Sequence, residues 1–200
     1  MKSSTGVHYG KHSRKYLRPH GGLSFLDRLN DALLTLTEDE LSTAKYDREL
    51  TLSNGMTLQY LGSGVYRSSF RYGNLVVKFP KGIDASHDNV NEWEIYQEAL
   101  RVGMAGSLAA CIAMLDGWPF GVVTVYEYVP GKETWGGMSE RKMSLRFSRK
   151  GANVRAHDLH GGNVRGRKVI DYGLFEFRSR REVDEAVDKV LPENKYVKRV

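Results

Sequence analysis

The hydrophobic period changes near Glu49 and again at residue 88, and these two changes constrain the fold more than any other feature of the chain. From Glu49 the apolar residues alternate. Leu50 and Leu52, then Asn54-Gly55, then Met56, Leu58 and Tyr60 predict a hairpin around a type I′ turn. Val65–Phe70 and Leu75–Phe79 flank Arg71-Tyr72-Gly73-Asn74, so the stretch from 50 to 79 is expected to form an antiparallel meander. Residues 88–102 switch to helical spacing, with Trp93, Tyr96 and Leu100 on one side, Ile95 and Ala99 beside them, and Gly103 as the stop. Ala109–Leu115 and Gly121–Val129 then bracket Asp116-Gly117-Trp118-Pro119 as a further hairpin. The expected order is three strands, a helix, two strands and a break at Pro130-Gly131.

Ahead of the meander, Ser24 can cap a helix in which Leu26, Leu29, Leu33 and Leu36 recur at three and four residues. Thr37-Glu38-Asp39-Glu40 has the form of a capping box for a second helix. Residues 1–22, rich in Ser, Gly, His, Lys and Arg, read as a disordered basic tail. Beyond residue 130 the period is weaker. Residues 132–155 are basic and suggest one helix, Asn163–Arg165 and Lys168–Ile170 read as short strands turning at Gly166, and Arg181–Leu191 reads as a last helix ending at Pro192.

Charge separates the same regions. The 200 residues carry a net +6, yet residues 1–20 hold five basic residues and no acid, 21–140 hold 9 basic against 16 acidic, and 141–181 hold 12 against 3. So polarised a chain is not a uniformly basic nucleic-acid coat. Aromatic residues do not interleave with the basic ones as a stacking platform would require, so direct nucleic-acid binding is not expected. The single cysteine, Cys111, excludes an internal disulfide and a cysteine-based zinc site. No apolar run approaches the roughly 20 residues of a membrane span, which leads us to expect a soluble, cytoplasmic protein without membrane association.

Four local signals carry possible chemistry. Leu61-Gly62-Ser63-Gly64-Val65-Tyr66 places two glycines at a hairpin tip, where backbone N–H groups can approach a polyphosphate, although turn glycines are the commoner explanation. Leu75-Val76-Val77-Lys78-Phe79 puts a lysine in an apolar strand; alternation alone favours a solvated side chain over one projecting into a cleft. In Ala156-His157-Asp158-Leu159-His160-Gly161-Gly162-Asn163, an aspartate and an asparagine five residues apart can aim a carboxylate at a hydroxyl and an amide oxygen at a metal. Val169-Ile170-Asp171-Tyr172-Gly173 ends a strand on an aspartate, a natural Mg²⁺ ligand, though Asp-x-Gly is also an ordinary turn. Histidine-bound zinc at His157 and His160 is disfavoured for want of a third ligand at short spacing.

Taken in order, these signals resemble the parts of the protein-kinase-like fold, from about Leu50 to Phe175. Asp158 to Asn163 is closest in style to minimal and atypical kinases, among them the small serine/threonine protein kinases of short-tailed bacteriophages and the aminoglycoside-type phosphotransferases. The resemblance implies an α+β, two-lobed fold with an antiparallel N-lobe sheet plus one helix and a truncated, mostly helical C-lobe. The implied division is a 1–22 tail, a 23–48 helical extension, a 49–129 N-lobe with hinge, and a 130–200 C-lobe with the catalytic loop. It implies ATP and Mg²⁺ as cofactors. Gly62, Ser63 and Gly64 would cover the β- and γ-phosphates, Lys78 would hold the α- and β-phosphates, and backbone atoms of Glu127 and Val129 would bind adenine. Asp158 would orient the acceptor hydroxyl, and Asn163 and Asp171 would hold Mg²⁺. Of three glutamates available to pair with Lys78, Glu92 shares a face with Ile95, Tyr96 and Ala99, whereas Glu94 and Glu98 sit with Gln97 and Arg101 on the face that reads as solvent.

The sequence also departs from the pattern. Arg67 stands in the third glycine slot, Ala156 stands where a histidine is usual with His157 displaced by one, and Tyr172 replaces phenylalanine. With 27 residues after Gly173, no activation segment of the usual kind is expected. The leading expectation is a minimal protein kinase acting on Ser/Thr hydroxyls of a protein that is acidic or nucleic-acid-associated. The alternatives are a nucleotide-binding pseudokinase acting by protein contact and a small-molecule kinase of the aminoglycoside or sugar type.

Overall fold

The structure is a computed structural model that describes residues 6–132 and 139–177. The last helix expected, 181–191, lies outside the described residues, as do residues 1–5. In chain order the elements are β1 (Val7–Tyr9), α1 (Ser13–Leu17), α2 (Ser24–Leu33), α3 (Glu38–Asp47), β2 (Glu49–Thr51), β3 (Thr57–Ser63), β4 (Arg67–Tyr72) and β5 (Leu75–Pro80). There follow α4 (Ser86–Arg101), β6 (Cys111–Leu115), β7 (Val123–Glu127), α5 (Glu140–Arg149), β8 (Val154–Arg155), β9 (Val164–Arg165), β10 (Lys168–Val169) and β11 (Glu176–Phe177). The fold is α+β. Its largest feature is a seven-stranded sheet in the order β1-β6-β7-β5-β4-β3-β2, every pair antiparallel.

The described residues form two compact units: those up to Trp93 together with Cys111–Tyr128, and Glu94–Ala110 together with those from Val129 to Phe177. The first holds the large sheet. One face of the meander carries Phe70, Leu75, Val77 and Phe79, all without solvent exposure, and edge-on contacts run from Phe70 to Phe79 and from Phe79 to Trp118. The helices α2 and α3 belong to this unit. Asn30 Oδ1 accepts from Gly117 N at 2.9 Å, and Trp118 Nε1 donates to Leu36 O at 3.1 Å. A side chain at residue 117 would put its Cβ 2.6 Å from the Asn30 carbonyl oxygen, so this close approach requires glycine. The capping box forms as expected, with Glu40 N donating to Thr37 Oγ1 at 3.2 Å and Thr37 N to Glu40 Oε2 at 2.9 Å.

Two expectations are corrected here. Residues from Val7 to His20 are ordered, not a disordered tail: β1 pairs with β6, and Val7 and Leu17 are fully buried while Lys11, Arg14, Lys15 and Arg18 face solvent. His12 Nε2 bonds Cys111 O at 2.9 Å, and Ser13 Oγ donates to Ile112 O. The basic composition marks the outer side of a segment whose order comes from the edge of a distant sheet. Second, Asn54-Gly55 is not a type I′ turn. Gly55 N donates to Leu52 O at 2.9 Å, Leu52 N to Met56 O at 2.8 Å, and of the pair only Gly55 has positive φ (81°). That is a tight turn followed by a left-handed glycine, as in a bulged hairpin. The two-residue turn with positive φ at both positions occurs instead at Gly166 (55°) and Arg167 (95°), between β9 and β10.

The second unit buries Phe147, Val154, Val164, Val169, Tyr172 and Phe175. Here β8 pairs with β11, and the Phe147 and Tyr172 rings both contact Phe175. Among the described residues no helix is long and apolar enough to cross a membrane.

Candidate active site

The sheet register brings the first group of residues together. Ser69 pairs with Lys78, Lys78 with Thr124, and Val76 with Tyr126. Directly paired side chains project from the same face, and so do residues two apart on a strand. Arg67, Ser69, Lys78, Thr124 and Tyr126 therefore share one face, opposite Phe70, Val77 and Phe79. Asn89 and Glu92, three residues apart on α4, meet that face.

Glu92 is the centre of the group and has no solvent exposure. Lys78 Nζ donates to both of its oxygens at 3.0 Å, Arg67 Nη1 lies 2.8 Å from Oε2, and the Tyr126 hydroxyl donates to the same oxygen. Lys78 Nζ also sits 4.4 Å from the centre of the Tyr126 ring. Asn89 ties the group to the backbone by donating to Lys78 O at 3.2 Å and Val122 O at 2.7 Å, and its Oδ1 accepts from Arg67 Nη1 at 3.4 Å. The solvated lysine that alternation favours is thus replaced by one only 6% exposed, because the polar-looking face of β5 is covered too. A buried carboxylate needs such partners, since burying an unpaired charge costs several kcal/mol. Thr124 Oγ1 is buried in the same neighbourhood with no hydrogen-bond partner among the described residues.

The glycine segment lies at the β3–β4 turn. Gly64 N donates to Arg67 O at 2.9 Å, Ser63 Oγ lies 3.2 Å from Ser68 Oγ, and Lys81 Nζ donates to Gly64 O. Burial, with Lys45 adding to it, holds the Lys81 ammonium below the usual lysine range. A Cβ at Gly62 or Gly64 would meet nothing within 4 Å, so open space lies beside this backbone. At the other end of β5, Leu75 pairs with Glu127, Tyr128 N donates to Asn74 O at 2.8 Å, and the Arg71 guanidinium lies 3.9 Å from the centre of the Tyr128 ring. Glu127 and Val129 are half-buried there.

The second unit carries the other group. Asp158 has φ 55°, a left-handed conformation that aspartate tolerates better than most residues, and its carboxylate is half exposed. Asn163 Nδ2 donates to Asp158 O at 2.8 Å and to its Oδ2 at 3.3 Å. His160 Nδ1 accepts from Gly162 N at 3.1 Å, which leaves the proton of the neutral ring on Nε2, 3.8 Å from Asp158 Oδ2. Helix α5 braces the loop: Glu140 Oε1 accepts from Leu159 N at 3.3 Å and Ser144 Oγ from Ala156 N at 2.9 Å. Ile170 N donates to Asn163 O at 2.8 Å, so Asp171 follows directly on a residue bonded to Asn163. Tyr172, 1% exposed, donates its hydroxyl to Ala109 O at 2.7 Å and anchors the segment. His157 is drawn away, its Nε2 lying 3.4 Å from Glu176.

Sequence reasoning missed Arg67, noted only as a missing glycine, and with it Asn89, Tyr126, Glu140 and Ser144. Two signals were available for the first pair: Arg67 and Ser69 alternate onto the face of Lys78, and Asn89 precedes Glu92 by one helical turn.

No family model and no curated protein matches the chain. Among solved structures it is similar to WbdD in a co-crystal with the kinase inhibitor LY294002, with 18% identity and a TM-score of 0.43 over 74% of this chain. The chain spans 41% of the length of that WbdD chain.

Proposed function

We propose that the protein is an ATP-dependent phosphotransferase, specifically a minimal serine/threonine protein kinase that passes the γ-phosphoryl of Mg·ATP to a protein hydroxyl. The observation that carries this reading is the buried Lys78–Glu92 ion pair. It joins β5, the last strand of the meander, to the helix that follows, the pairing by which protein kinases position a phosphate-binding lysine. In this reading Lys78 binds the α- and β-phosphates, the Gly62–Gly64 backbone covers the β- and γ-phosphates, and main-chain atoms of Glu127 and Val129 hold adenine.

Phosphoryl transfer asks little covalent chemistry of a protein, so the work lies in orientation and charge. Asp158 would receive the acceptor hydroxyl, with the Asn163 amide holding its carboxylate. Asn163 and Asp171 offer an amide oxygen and a carboxylate, hard donors that suit Mg²⁺. Among the described residues no group of three or more His, Cys, Asp or Glu could hold a metal alone, so nucleotide phosphates would have to complete the coordination. Mg²⁺, when bound, would neutralise charge on the phosphate oxygens. The basic residues Arg165, Arg167 and Lys168 near this group favour an acidic acceptor over a cationic drug.

The test is transfer of label from γ-labelled ATP, with the protein alone and with a cell lysate. Wild type should label a protein and Asp158→Ala should not; equal labelling by the two contradicts the proposal.

A further inference from the structure

The arginine in the third glycine slot is not a neutral departure. Arg67 is 8% exposed, and its guanidinium reaches the same Glu92 oxygen that Tyr126 binds, while Lys78 spans both oxygens. One buried carboxylate therefore serves two cations. If Lys78 were its sole ion partner, an ammonium shared with a polyphosphate would leave the buried carboxylate less compensated. With Arg67 in place, Glu92 keeps a guanidinium that cannot be deprotonated, and Asn89 Oδ1 accepts from the same guanidinium nitrogen, Nη1, at 3.4 Å.

We propose that Arg67 is a positioning residue for the nucleotide phosphates: it holds Glu92 jointly with Lys78 and so lets the Lys78 ammonium, still paired with Glu92, share its donors with them. This rests on the reading of the site as an ATP site. Arg67 need not touch the nucleotide. Its effect passes through Glu92 to Lys78, so it should be felt by ligands that carry phosphates and not by the nucleoside.

Titration calorimetry with Mg·ATP and, separately, with adenosine separates these possibilities. Arg67→Met should weaken Mg·ATP by about tenfold or more and leave adenosine within about twofold, and Arg67→Lys should recover most of the loss. Equal loss for both ligands, or no loss for either, overturns the assignment while leaving the ATP site standing. Wild type that binds neither ligand overturns the ATP site itself and the assignment with it. Lys78→Met gives the reciprocal measurement should Arg67→Met fail to fold. Because Glu92 keeps Arg67, that variant should fold, bind adenosine as wild type does and lose Mg·ATP. A Lys78→Met chain that unfolds overturns the assignment, since Lys78 would then have held the carboxylate alone.

Discussion

Lys78 Nζ lies 3.0 Å from each carboxylate oxygen of Glu92, and Glu92 has no exposed surface. Removing the carboxylate's charge strands two buried cations, Lys78 and Arg67. Glu92→Gln should therefore lower folding stability by about 3–5 kcal/mol, read from urea unfolding. A loss below about 1 kcal/mol would mean that the pair is far more solvated than its burial indicates.

Thr124 makes the opposite case. Its hydroxyl is buried and unpartnered among the described residues, so its desolvation is uncompensated. Thr124→Val should be neutral or stabilise by up to about 1 kcal/mol in thermal unfolding. A clear destabilisation would mean that the hydroxyl has a partner.

The capping box of α3 sets a pH dependence. Hydrogen bonds from the Thr37 backbone and hydroxyl hold the Glu40 carboxyl below its usual range. A carboxyl lowered in the folded state adds stability above its unfolded pKa, and that stability is lost as pH falls through the folded value. Wild type should thus exceed Glu40→Gln at neutral pH, with the gap closing in acid. Thr37→Ala should cost about 1 kcal/mol at neutral pH.

Cys111 reports on the sheet. It is fully buried, and burial, with the nearby Glu92 charge adding to it, pushes its thiol far up. A thiol reagent should modify it at the rate of unfolding, rising with urea. Fast modification of the native chain would place Cys111 in contact with solvent.

Much of this was legible because the relevant physics is local. The capping box of α3, the spacing of Leu26, Leu29 and Leu33, and the face of α4 that carries Glu92 each follow from residues a turn apart. What was not legible depends on distant chain. The order of Val7–Leu17 comes from pairing with Cys111–Leu115, about a hundred residues away. Lys78 looks solvated until α4 covers the second face of its strand, and Arg67 looks like a lost glycine until Glu92 is placed beside it. The Asn54-Gly55 pair fits two hairpin turns, and the pairing of β2 with β3 selects the bulged one.

The most direct measurement is a crystal structure with Mg²⁺ and a non-hydrolysable ATP analogue. Phosphate density is expected within hydrogen-bond reach of Lys78 Nζ, with a metal bound by Asn163 and Asp171 and adenine against the backbone of Glu127 and Val129. A nucleotide bound elsewhere, or none at saturating concentration, would contradict it.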